Sequence, residues 1–197
     1  YLYRQEFELT SDELFCQKKK TNKLVRYGFF FNFQVEDYKN GVILPHEKTF
    51  AKYKADRYEL MEAAQGNMEP VFLGFDSPFL SGSEFESMTE SAHVVADYKD
   101  RYGVKHKLWL LDDSKSCAKI SEKLKSEKLY ILDGHHRYET ALKFHQDHPG
   151  EKTKYVLANV CAFKQLGTVI LPTHRLISGI SGFSKESYLK QMGEFFE

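Results

Sequence analysis

The densest run of reactive side chains in the sequence is Asp133-Gly134-His135-His136-Arg137. The apolar segment LYILD precedes this run, and apolar residues recur at helical spacing after it, which predicts a junction where a strand ends and a helix begins. The first backbone N–H groups of a helix attract anions. Arg137 adds a bidentate donor and the two histidines add ring N–H groups. The run therefore predicts a phosphate site formed by Gly134, His135, His136 and Arg137.

A carboxylate beside a bound phosphate is repelled unless a cation lies between them or the carboxylate takes a proton from a nucleophile. Asp133 is therefore predicted to be a Mg²⁺ ligand or a general base. His136, whose ring can donate or accept a proton, is a further catalytic candidate. The alternative is a structural junction in which Asp133 caps the helix, Arg137 pairs with a carboxylate and one histidine packs in the core.

Two further segments share one form, LPHEKT at 44–49 and LPTHR at 171–175. In each, a proline follows an apolar run and precedes a histidine, a hydroxyl and a basic group. Glu47 is a candidate acid, base or metal ligand, and the candidate anion donors are His46, Lys48, His174 and Arg175. Either segment alone is also typical of a solvated turn. We expect one pocket to hold these segments together with the first run.

A zinc site is the competing interpretation, because four histidines are available: His46, His135, His136 and His174. Adjacent histidines at a helix start point in different directions, and no HxxxH or CxxC pair supplies a chelating edge. The sequence therefore favours Mg²⁺ with a nucleoside di- or triphosphate, ATP or ADP, over zinc.

Composition narrows the class of protein. The 197 residues contain 28 Lys and Arg against 28 Asp and Glu, and this balance argues against a nucleic-acid partner. No apolar run reaches the roughly 18 residues that span a bilayer, so no membrane partner is expected.

Three cysteines, far apart and without ligand spacing, predict a reduced cytoplasmic setting. The chain starts on Tyr1 and stops within an amphipathic pattern, which predicts a fragment of a longer protein. Nothing in the composition indicates an oligomeric state.

The elements that must position these residues belong to an α+β fold with a mixed sheet and helices packed on it. Two aromatic-rich strands are expected near residues 1–9 and 24–35, a helix over Lys52–Gln65 closed by Gly66, and a hairpin around Arg101-Tyr102-Gly103. Further helices are expected from Ser114, His135 and Lys185. No linker divides the chain, so we predict one compact domain over residues 1–197.

With these residues in place, the sequence resembles a bacterial and archaeal family of unknown function that is grouped with ParB-like proteins. The matching segments are VILPHEKT, KADRYELMEA, NMEPVFLGFD, KLWLLDD, LYILDGHHRYETAL and ILPTHRL. The strand–Gly–His–Arg–helix junction is similar to that of the ParB and sulfiredoxin superfamily, in which such a segment binds nucleotide phosphates and some members are free-serine kinases.

The resemblance implies that Gly134, His136 and Arg137 hold phosphates and that Asp133 lies at the reacting end. His135 stands where sulfiredoxin has its reactive cysteine, so sulfinic-acid reduction is not expected. ParB-type DNA binding is not expected either, because no helix-turn-helix pattern is present. The prediction is an Mg²⁺-dependent enzyme that transfers a phosphoryl group from the nucleotide to a small hydroxyl-bearing metabolite. The alternatives are a nucleotide-responsive binding module without catalysis and a purely structural polar network.

Overall fold

The fold is described by a computed structural model that covers residues 1–10, 21–77, 82–171, 176 and 178–196. Among these residues, eight strands form one mixed sheet and are accompanied by five α-helices. The strands are β1 (Leu2–Glu8), β2 (Lys23–Gln34), β3 (Ile43–Leu44), β4 (Val71–Phe75), β5 (His93–Lys99), β6 (Lys105–Leu110), β7 (Leu129–Asp133) and β8 (Tyr155–Ala162). The helices are α1 (Ala51–Ala64), α2 (Gly82–Thr89), α3 (Ser114–Lys125), α4 (His135–Asp147) and α5 (Lys185–Met192). The predicted α+β class with a mixed sheet is confirmed.

The strand order across the sheet is β3-β7-β4-β8-β2-β1-β6-β5. The two aromatic-rich strands are present as expected and pair antiparallel, with Tyr3 opposite Gly28. The predicted hairpin is the antiparallel pair β5 and β6. Two pairs are parallel, β3 with β7 and β4 with β8. No helix in the described part of the chain is long and apolar enough to cross a membrane.

Three helices contribute to the core through a few apolar side chains each. Phe85 of α2, Ile120 and Leu124 of α3, and Tyr138 and Ala141 of α4 join strand residues in one buried cluster. Asp113 caps α3, because its carboxylate accepts hydrogen bonds from the backbone N–H groups of Lys115 and Ser116.

Helix α1 departs from its sequence pattern. Although Tyr53, Leu60, Met61 and Ala64 share one helical face, no residue of α1 is buried and only Met61 packs against the core. The predicted cap is wrong, since Gln65, with φ 51°, takes the left-handed position expected of Gly66. Polar contacts with α4 hold α1 in place instead.

Candidate functional site

Parallel pairing of β3 with β7 brings two of the three predicted segments together. Ile43 lies opposite Leu129 and Leu44 opposite Tyr130, so both strands end at the same edge of the sheet. The loop 46–50 follows β3, and α4 follows β7 after Gly134. A cleft of about 480 Å³ opens between these segments and α1, lined by Glu47, Tyr53, Asp56, Arg57, Leu60, Asp133, Gly134, His135, His136 and Arg137.

Gly134 makes the sharp turn from β7 into α4. Its φ of 94° lies in the left-handed region that favours glycine, and a Cβ here would stand 3.0 Å from Cζ of Arg137. Gly134 is the N-cap of α4, and no described side chain caps the first turn. The alternative in which Asp133 caps the helix is therefore wrong. The positive end of the α4 dipole lies at the cleft, and no side-chain hydrogen bond caps it.

His135 is buried and holds the start of loop 46–50. Its Nε2 accepts a hydrogen bond of 3.2 Å from the backbone N–H of His46, which places the ring proton on Nδ1. Nδ1 lies 3.5 Å from a carboxylate oxygen of Glu47. Burial, with a smaller contribution from His46, lowers the pKa of His135 below its ordinary value of 6.5. His135 is therefore neutral and positions Glu47.

His136 holds the other end of the same loop. Its Nε2 accepts a hydrogen bond of 3.1 Å from the backbone N–H of Phe50, and its ring meets the Tyr53 ring at 5.6 Å and 87°. The sequence suggested that both histidines direct ring N–H groups at phosphate, but both Nε2 atoms are acceptors inside the protein. Of the two Nδ1 atoms, that of His135 faces Glu47. The Nδ1 atom of His136 is therefore the ring donor that remains for a ligand.

Arg137 crosses from α4 to β7 and to the segment before β4. Its guanidinium donates to the Asp133 carboxylate and to the Pro70 carbonyl, and Nε lies 3.7 Å from a carboxylate oxygen of Glu69. This pairing of Arg137 with a carboxylate is the one that the structural alternative predicted. The Asp133 side chain remains 70% exposed, so this carboxylate is accessible from the cleft.

The other predicted residues lie close by or outside the described chain. Glu47 is 61% exposed and lies 3.8 Å from Nε2 of His46. His46 and Lys48 are exposed on the same loop, next to the residues that line the cleft. His174 and Arg175 lie outside the described residues.

Sequence analysis missed Glu139, the anchor of α1. Its carboxylate accepts hydrogen bonds from the Thr49 hydroxyl at 2.6 Å, the Lys54 ammonium at 3.0 Å and the Tyr38 hydroxyl at 3.5 Å. One signal was present in the sequence: Glu139 follows His135 by four residues and so shares its helix face. Burial alone would raise the pKa of Glu139, but the bonds from Thr49 and Lys54 outweigh it and hold the pKa below its ordinary 4.5.

Glu139→Gln is expected to weaken the acid dependence of stability. A carboxylate whose folded-state pKa is depressed stabilises the fold above its unfolded pKa, and this stability is lost as pH falls through the folded value. The variant should lose about 1 kcal/mol at pH 7 and show a shallower decline below pH 4.5. Urea unfolding at stepped pH measures both quantities. Glu122→Gln, at an exposed i,i+3 pair with Lys125, is the matched control, and parallel pH curves for Glu139→Gln and wild type would contradict the assignment.

Metal-ligating side chains are few at this cleft. Within the described ranges, no group of three or more His, Cys, Asp or Glu residues is arranged to hold a metal ion. Asp133 and Glu47 both line the cleft, however, and Mg²⁺ is commonly bound by one or two carboxylates together with substrate phosphates. The carboxylate pair fits a cation that arrives with a phosphate ligand better than a protein-only zinc site.

Comparison with known proteins gives a family. A family described as "Protein of unknown function (DUF1015)" matches residues 1–197. No curated protein and no solved structure matches the chain.

Proposed function

The chain belongs to the DUF1015 family of proteins of unknown function, and we propose from the cleft itself that it binds a nucleoside di- or triphosphate with Mg²⁺. The proposed reaction transfers a phosphoryl group from this nucleotide to a small hydroxyl-bearing metabolite. The observation that carries this proposal is the uncapped start of α4 at Gly134, which opens into a cleft lined by two guanidinium and three carboxylate groups. The similarity of the junction to the ParB and sulfiredoxin superfamily supports the same proposal.

The charges of the cleft favour phosphate accompanied by a cation. Asp56, Asp133 and Glu47 outnumber Arg57 and Arg137, so a bare phosphate would be repelled by the excess carboxylate. Mg²⁺ between the carboxylates and the phosphate oxygens removes this repulsion. When Asp133 turns toward the cation, the Arg137 guanidinium gains a free N–H for phosphate.

The proposed roles follow from this arrangement. Asp133 would hold the Mg²⁺, and the α4 amides of residues 135–137 together with Arg137 would hold phosphate oxygens. Glu47 is then the general base, because Asp133 is turned toward the cation. The acceptor hydroxyl loses its proton to Glu47 and bonds to phosphorus, while the bond from phosphorus to the leaving nucleotide oxygen breaks.

Side chains at the rim complete the proposed site. His136 through Nδ1, together with His46 and Lys48 on the loop, stabilises charge that develops on the transferred group. His174 and Arg175 keep the same proposed role. A cytoplasmic setting accords with this chemistry, because nucleoside phosphates are abundant there.

A second candidate is a nucleotide-responsive binding module without catalysis. The observation that favours it is that the Nε2 atoms of both histidines already accept backbone hydrogen bonds, so neither Nε2 is free to act as a general base. The two candidates differ in one outcome: whether phosphate appears on an acceptor hydroxyl. Phosphorus NMR of the protein with Mg²⁺, nucleotide and a pool of hydroxyl-bearing metabolites separates them.

Thermal unfolding with nucleotides tests phosphate binding, which both candidate functions require. ATP, ADP and tripolyphosphate, each with Mg²⁺ at ten times its dissociation constant, should add about 1.4 kcal/mol, a rise of about 3 to 5 °C in Tm for a chain of this length. The rise should shrink when EDTA removes Mg²⁺. A Tm that no phosphate ligand moves, with or without Mg²⁺, would refute both candidates.

A further inference from the structure

Two neighbouring aromatic side chains stand exposed beside the cleft. Phe50 is 67% exposed and Tyr53 is 57% exposed. We propose that Phe50 and Tyr53 form a stacking surface for the base of the nucleotide whose phosphates lie at the start of α4. This proposal rests on the proposed function and adds to it the surface that holds the base.

The two rings are continuous with the phosphate end of the cleft. Tyr53 lines the cleft, and its ring contacts the His136 ring. The Phe50 ring lies 6.2 Å from the Tyr53 ring at 83°. The backbone N–H of Phe50 is bonded to His136, so the first turn of α4 fixes the start of the aromatic pair. A ligand bound at that turn has the aromatic surface directly beside it.

Folding does not explain why these residues are aromatic. Phe50 is the N-cap of α1, where Ser, Thr, Asp and Asn are preferred, and its side chain makes no capping bond. Neither ring joins the core cluster. An aromatic residue at an N-cap, with no capping bond and no place in the core, is a local exception of the kind expected at functional sites.

The chemistry of the surface fits a nucleoside. Every nucleobase has a π face that stacks on an aromatic side chain, and this contact tolerates different bases. Asp56 follows Tyr53 by three residues, lies on the same side of α1 and also lines the cleft, where its carboxylate can accept a hydrogen bond from a ribose hydroxyl. The surface therefore suits a nucleoside phosphate with weak selectivity for the base.

Isothermal titration with ATP and with tripolyphosphate, both with Mg²⁺, separates base from phosphate binding. We expect Tyr53→Ala to weaken ATP binding about tenfold and to change tripolyphosphate binding less than twofold. Phe50→Ala should follow the same pattern with a smaller change. Tyr53→Phe, which keeps the ring, should retain wild-type affinity for ATP. Tyr102→Ala, at an aromatic side chain exposed on the β5–β6 turn, is the matched control and should change neither affinity.

The outcomes distinguish this inference from the function on which it rests. Unaltered tripolyphosphate binding by Tyr53→Ala shows that the variant is folded. If Tyr53→Ala weakens both ligands equally, or neither, the stacking surface is refuted while phosphate binding stands. If the wild-type protein binds neither ligand, both the proposed function and the stacking surface are refuted.

Discussion

Arg137→Ala is expected to lower both the stability of the protein and its affinity for phosphate ligands. The guanidinium donates to the Pro70 carbonyl and to Asp133, so its removal leaves both acceptors without that donor and should cost about 1 to 3 kcal/mol of unfolding free energy. Loss of a charge-assisted bond to phosphate should weaken Mg²⁺–tripolyphosphate binding by about 1.5 to 3 kcal/mol. Urea unfolding and isothermal titration measure the two effects separately.

Two variants make the Arg137 result interpretable. Arg137→Lys keeps the charge but loses the planar fork, so we expect part of each effect. Arg101→Ala, at an exposed arginine of the β5–β6 turn, should change neither quantity by more than about 0.5 kcal/mol. A fall in stability with unaltered tripolyphosphate affinity would assign Arg137 a purely structural role and would contradict the proposed phosphate site.

Local sequence patterns were sufficient for most of the sheet. The aromatic density of residues 24–35 and the turn at Gly103 depend on neighbours in the sequence, and both predictions are confirmed. Helix α1 was predicted close to its observed bounds, but its packing was not, because its position is set by partners far along the chain. Lys54 pairs with Glu139, 85 residues away, and Tyr58 donates to Asp147, 89 residues away. No periodicity within α1 encodes those contacts.

The candidate site was likewise predictable from the sequence only in part. Its backbone was predictable, because a strand that ends at Asp133 and a glycine before a helical pattern specify a sharp turn at any position in a chain. The hydrogen-bond roles of the side chains were not. His135 and His136 were expected to donate to a ligand, yet both Nε2 atoms accept backbone N–H groups from loop 46–50. Which ring nitrogen carries the proton depends on that partner, and the partner is known only from the fold.

The internal bonds of the two histidines bear directly on the proposed chemistry. They fix both ends of the loop that carries Glu47, so the carboxylate is positioned before any ligand binds. A structural role for the histidines and a catalytic role for the loop are therefore compatible, and the polar network is the means by which the loop is held. Backbone amides that are held in place need no rearrangement when charge develops on a transferred phosphate.

Tyr138→Phe is expected to be strongly destabilising although it removes a single oxygen atom. Tyr138 is fully buried, and its hydroxyl donates to the Glu36 carbonyl at 2.8 Å and accepts from the Glu36 N–H at 2.9 Å. Burial raises the pKa of Tyr138 to about 12, so the hydroxyl remains a donor throughout the neutral range. Phenylalanine leaves both backbone groups unpaired, and we expect a loss of about 2 to 4 kcal/mol in urea unfolding.

The matched control for Tyr138→Phe is Tyr58→Phe, which removes a hydroxyl bonded to the exposed Asp147 carboxylate and should cost less than about 0.5 kcal/mol. Tyr138 follows Arg137 directly in α4 and bonds to Glu36 in the segment after β2. Comparing the two variants shows whether Tyr138 anchors α4 to that segment independently of phosphate binding by Arg137. Equal losses for the two variants would mean that water replaces the hydroxyl at Glu36. The α4 start would then be held by Arg137 and the two histidines alone, and the stability of the cleft would depend on the residues proposed to bind phosphate.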